Sequence, residues 1–227
     1  MDIQDTSTKI LLVVVIVLVG LFITGAVFWG AQTPTAGTTT TVDTSKVTSD
    51  GEPFIGNSNA PVTVTEWFDY QCPACKAFEL TTLPSVVQNY VDTGKVKIVF
   101  KDESFLGPDS MVDAEYGRAV WALYPSEFAA WRDAIYTLEP QENTLNAADN
   151  IAFLKKVLGS VTGIDVNKVT AAVVANQAAY DAAINADKAE GTSLGINATP
   201  SFVIGGKLIT GGYPYTTFQS LVDPLLK

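Results

Sequence analysis

Apolar and polar positions recur with different periods along this chain, and each change of period marks an element. Residues 10–31, ILLVVVIVLVGLFITGAVFWGA, are 22 side chains without a charge. As a helix this run measures about 33 Å, enough to cross a bilayer core. It is longer than the apolar centre of a cleaved signal peptide, and bulky Phe28 and Trp29 precede Ala31, so the expectation is an uncleaved single-pass anchor behind a short tail, residues 1–9. Cleavage after Ala26 is the alternative. Only Lys9 precedes the run and only Lys46 follows it closely, so loop charge gives almost no orientation. The tail is short and 196 residues (227 − 31) follow the run, so export of the C-terminal part is the simpler topology. Residues 32–53 are rich in threonine and nearly lack large apolar side chains, which predicts a flexible tether.

From residue 54 to 227 the pattern is that of one folded domain. VTVTEWFDY, residues 62–70, alternates with Val62, Val64, Glu66, Phe68 and Tyr70 on one face, a strand signal. Pro73 then suits the first position of a helix with Cys72 as its N-cap, and Pro84 should kink or restart that helix. KVKIVFK, residues 95–101, reads as a second strand. From about 109 to 194 the period turns helical and alanine-rich, with candidate helices at 111–124, 126–138, 147–159, 166–175 and 177–194. SFVI, Gly205–Gly206 and KLIT then read as a tight hairpin, and residues 215–226 as a closing helix.

Charge and composition narrow the chemistry. The formal net charge is −10 and no basic stripe with interleaved aromatics occurs, so nucleic acid is not an expected partner. Histidine is absent, which removes Ser-His-Asp and Cys-His catalysis and leaves too few ligands for a thiolate metal site. The chain has two cysteines, Cys72 and Cys75, three positions apart, a spacing that chance gives roughly once in a hundred pairs. A structural disulfide would close a very small loop and add little stability. A redox dithiol, with no cofactor beyond the two thiols, fits better. Cys72 at a helix N-terminus would have N–H groups and the positive dipole end to stabilise a thiolate, and Cys75 one turn on would be the resolving thiol.

Three matches, EWFDYQCPAC at 66–75, ATPSFVIGGK at 198–207 and the helical block between them, resemble the DsbA-like thiol–disulfide oxidoreductases over about residues 54–227. The resemblance implies an α/β thioredoxin fold with an inserted all-helical domain, here about 109–194; the apolar run at 10–31 adds a single N-terminal transmembrane helix before it. It implies that Pro200 is cis beside the dithiol, that Thr199 faces the substrate disulfide, and that an extended substrate segment pairs nearby. It also implies that Glu66 is a buried acid exchanging protons as Cys75 ionises; the bland alternative is an edge-strand Glu66 paired with Lys97 or Lys101. The active-site dipeptide Pro73-Ala74 departs from the strongest oxidants of the family, which carry histidine there, so a milder oxidant is expected. The expected clients are exported cysteine-containing polypeptides. The catalytic domain would lie on the extracytoplasmic side of the cell membrane, reoxidised by a quinone-linked integral-membrane redox partner. Reductase or isomerase action, and a non-redox peptide-binding chaperone module, are the competing readings.

Overall fold

The computed structural model describes residues 39–138 and 147–226. The expected tail, membrane span and first part of the tether lie outside the described residues, among which no helix is long and apolar enough to cross a membrane.

The centre of the sheet is β3 (Val62–Phe68), parallel to β4 (Val96–Asp102) on one side and antiparallel to β5 (Ser201–Ile204) on the other. β5 turns through Gly205 and Gly206, at φ 54° and 79°, into β6 (Lys207–Thr210); two consecutive left-handed residues are what a tight hairpin of this hand requires. Two short strands, β1 (Thr40–Thr41) against β6 and β2 (Phe54–Ile55) against β4, cover the edges, giving the order β1-β6-β5-β3-β4-β2.

Both faces of β3 are buried. Val64, Phe68 and Tyr70 join the main core, while Trp67 packs with Leu194, Ile196, Val203 and Leu208 on the opposite face. β3 and β4 are joined through α1 (Pro73–Thr81), α2 (Leu83–Val86) and a π-turn at Val87–Val91. The restart at Leu83 follows from Pro84, which lacks an N–H and cannot continue the α1 ladder. Between β4 and β5 lie α3 (Pro108–Leu123), α4 (Phe128–Leu138), α5 (Ala147–Ser160) and α6 (Val166–Ser193), and α7 (Tyr215–Val222) follows β6. Aromatic contacts knit this helical layer to the sheet: Tyr70 meets Trp131 edge-on at 5.1 Å, and Phe100 meets Phe128 at 5.9 Å.

Two expectations are corrected. The helices expected at 166–175 and 177–194 are one 28-residue helix, α6. Asn176 between them is only a mild helix opponent, and its side-chain amide donates to the Ala172 carbonyl at 2.9 Å. The second half of the supposed tether is not free chain. Thr40 and Thr41 pair with Leu208 and Lys207, Asp43 caps a turn of 3-10 helix at Thr44–Lys46, and Val42 and Val47 pack on the Trp67 cluster. Thr48 Oγ1 donates to Glu190 at 2.6 Å, and Glu52 pairs with Arg118 at 2.6 Å and Lys101 at 3.2 Å. Few apolar residues suffice here because a sheet edge and two buried cations supply the partners.

Candidate functional site

The turn that delivers the dithiol is built by Asp69. Its Oδ1 accepts the Gln71 N–H at 2.9 Å, its carbonyl accepts the Cys72 N–H at 3.1 Å, and its Oδ2 accepts N–H groups of Phe105 and Leu106 at 3.0 and 3.2 Å. The chain leaves β3, makes this turn and enters α1 with Cys72 as an extended N-cap and Pro73 in its first turn. Pro73 and Ala74 are exposed, whereas Cys75, Phe78 and Glu79 face the core.

Both cysteines are free thiols, but their surroundings divide them. The Cys72 thiol is pulled down to about 6, chiefly by hydrogen bonding from the Cys75 side chain, with help from the Thr199 side chain and the backbone N–H groups of Cys75 and Ala74; partial burial opposes this. Cys75 is pushed well above the ordinary thiol value by burial, and negative charge on Cys72 or Glu66 would push it further. Cys72 Sγ also reaches the Thr199 carbonyl at 3.4 Å. Thr199 precedes Pro200 through a cis peptide bond, and among the described residues its buried hydroxyl has no hydrogen-bond partner of normal geometry. A Cys72 thiolate would supply one. Alkylation of Cys72 should therefore be half-maximal near pH 6, followed by thiolate absorbance, with Cys75 silent over the same range; half-maximal reaction near pH 9 would show that the helix end does not activate this thiol.

Glu66 is buried six residues before Cys72, but neither Lys97 nor Lys101 pairs with it. Its neighbour is Arg132, 3.8 Å away, while Lys101, opposite Trp67 in register, turns to Asp187 at 3.0 Å. Burial raises the Glu66 carboxyl to about 8 against the opposing Arg132 charge, with Glu79 and Cys72 adding to the rise. Burial thus favours its protonated form near neutral pH.

Arg132 and Glu79 were not singled out in the sequence. Arg132 is sandwiched on Phe68 and Phe100, 4.2 and 3.7 Å from their ring centres, and holds Glu79 through Nη2 at 2.7 Å and Nε at 3.3 Å. The signal was present: Phe128, Trp131, Arg132, Ile135 and Tyr136 form one helical stripe, and so do Cys75, Phe78 and Glu79, each with a charge where an apolar residue is expected. A cleft of about 180 Å³, lined in part by Glu79, Arg132, Asp133 and Phe100, opens beside this cluster.

Two thiols with ionisations driven apart, one at a helix end and one behind it, suit attack and release in disulfide exchange. On this sheet, beside a cis-proline loop, they define a DsbA-like thiol–disulfide oxidoreductase of thioredoxin fold. The chain belongs to the thioredoxin family, whose family model matches residues 48–224. It is 27% identical over 177 residues to disulfide bond formation protein D of Bacillus subtilis, covering 78% of each chain, and 28% identical over 173 residues to a probable disulfide bond formation protein D of Bacillus anthracis, covering 76% of this chain and 77% of that one. Among solved structures, oxidised BdbD of Bacillus subtilis has a TM-score of 0.69 at 24% identity, over 84% of this chain and 98% of that one. DsbA of Chlamydia trachomatis has a TM-score of 0.67 at 19% identity, over 79% and 94%. These structural likenesses establish the shared fold.

Proposed function

We propose that the protein is a membrane-anchored dithiol oxidase that forms or exchanges disulfides in exported cysteine-containing polypeptides through Cys72-Pro73-Ala74-Cys75, with residues 10–31 as anchor and the catalytic domain on the extracytoplasmic side. The observation that carries this reading is the placement of the two thiols at the start of α1, Cys72 Sγ 3.4 Å from the Thr199 carbonyl beside Pro200 and Cys75 buried behind it. The names of the Bacillus relatives support the direction toward disulfide formation.

Disulfide transfer to a client takes two exchanges. A client thiolate attacks Cys72 Sγ of the oxidised pair, the S–S bond breaks, and Cys75 leaves as a thiolate that takes up a proton. A second client thiolate then attacks the client sulfur of the mixed disulfide, forming the client disulfide and releasing Cys72 as a stabilised thiolate. Two electrons stay on the dithiol, to be removed by a quinone-linked integral-membrane partner. Neutral Glu66 is suited to give Cys75 its proton in the first step and to take it back on reoxidation. Thr199 and Pro200 face the client segment.

The deciding experiment is the reduction potential of the pair, equilibrated against defined glutathione ratios with free thiols mass-tagged. A value of roughly −200 mV or less negative is expected, while one near −270 mV or below would remove the oxidase direction. Glu66→Gln should slow client oxidation roughly tenfold or more while leaving the Cys72 midpoint near 6. Since folding raises the Glu66 pKa from 4.5 to about 8, its contribution to stability is fully present below pH 4.5 and is lost as pH rises to about 8. Glu66→Gln should accordingly match the parent in urea unfolding at low pH and exceed it at pH 8. An unchanged rate and an unchanged pH slope would leave Glu66 a bystander.

A further inference from the structure

The residue before Cys72 is tied to the helical layer by a buried carboxylate. Gln71 Nε2 donates to Asp113 Oδ2 at 2.6 Å, and Asp113 Oδ1 accepts from Asn150 Nδ2 at 3.0 Å. Asp113 stands on α3 and Asn150 on α5, so one side chain joins two helices of that layer to the active-site turn. All three residues are buried. The turn is thus held twice over, by Asp69 on the sheet side and by Asp113 on the helical side.

Asp113 is a costly residue to keep there. Its charge is met by two amide donors rather than a cation, and the ionisable groups facing it are acids, Asp109 on its own helix and Asp69 in the turn. Burial, opposed by the two amides and assisted by those acids, raises its carboxyl to about 7. For stability alone, apolar side chains at Gln71, Asp113 and Asn150 together would serve about as well. What the carboxylate adds is a short directional contact to the neighbour of the nucleophile. The Cys72 sulfur draws its stabilisation from groups that act only at close range, the Cys75 thiol, the Thr199 side chain and two helix N–H groups.

We propose that Asp113 is a positioning residue for disulfide exchange, fixing through Gln71 the turn that sets the Cys72 sulfur against Thr199 and the start of α1. The proposal rests on Cys72 being the attacking thiol. It makes the helical layer part of the active site's mounting, with Asn150 orienting Asp113 from behind.

The test compares full-length protein in detergent with Asp113→Asn, Gln71→Met and Cys72→Ser variants. Asp113→Asn must turn an NH2 group toward one of two donors, and Gln71→Met keeps the length of the side chain without the amide. Both should move the Cys72 alkylation midpoint upward by roughly half a unit or more and slow exchange with a peptide disulfide roughly tenfold. A merely structural role would lower the thermal midpoint and move neither quantity, and that result overturns the proposal. If Asp113→Asn does not fold, Gln71→Met alone decides, since it leaves the Asp113–Asn150 pair intact. Cys72→Ser separates the two layers of inference: residual exchange there would sink the assignment of Cys72, whereas its inactivity beside two unaltered positioning variants would sink only the role of Asp113.

Discussion

Cys75→Ser should convert the protein from a turnover enzyme into a covalent trap, and Cys72→Ser should reduce disulfide transfer to background. Both thiols are buried, Cys72 less completely than Cys75, so the asymmetry follows chiefly from ionisation. Cys72 lies against Thr199 at the cis-proline loop with its thiolate favoured near pH 6, so it is the sulfur a client reaches. Cys75 lies one turn deeper, almost wholly shielded, and acts from within. Remove it, and a client disulfide attacked by Cys72 yields a mixed disulfide with no internal thiol to release it. Non-reducing electrophoresis should show client adducts on Cys75→Ser that vanish with reductant, and none on Cys72→Ser. Adducts on both variants, or full client handling by Cys72→Ser, would favour a peptide-binding module over an oxidoreductase mechanism.

The second large effect is on stability. A chain starting at residue 54 should be less stable than one starting at residue 39, by roughly 2–4 kcal/mol, from the lost burial of Val42 and Val47 and the lost contacts of Thr48 and Glu52. The uncovered surface includes the Trp67 cluster and the edge of β6. Arg118 would keep Asp102 and Asp187, and Lys101 would keep Asp187 and Glu190, so the fold should persist. Urea unfolding with tryptophan emission measures the difference. Equal midpoints would mean that residues 39–53 are an accessory to the domain and no part of it.

This boundary shows where sequence reading stops. The dithiol, its helix and the hairpin were legible because each is announced locally: Pro73 after Cys72, Gly205–Gly206 between apolar runs, strict alternation from Val62 to Tyr70. Alternation also placed Glu66 on an apolar face, where the structure buries it. Its partner was not legible as a pair, since Arg132 is 66 residues away on a helix whose stripe looks apolar until that one position is questioned. The network of Glu52, Lys101, Asp102, Arg118 and Asp187 is harder still. Charged residues usually mean exposed surface, and nothing local distinguishes Lys101 on β4 from Lys97 on the same strand. The threonine-rich stretch reads as tether for the same reason: its partners, Leu208, Glu190 and Lys101, are far along the chain. The two helices expected at 166–175 and 177–194 are one because Asn176, exposed between them, opposes a helix only mildly.

The distance in sequence between Cys72 and Thr199, 127 positions, also bears on how the molecule is made. A chain emerging N-terminus first presents both thiols long before the loop that completes their setting has been synthesised, and closing so long a segment is entropically slow. During that interval Cys72 has the Cys75 thiol and its own helix end to ionise it, without Thr199. With two cysteines in the whole chain, the newborn protein has no wrong intramolecular partner for either. The share of Cys72 activation that Thr199 supplies therefore arrives late, when the last strands close over the sheet.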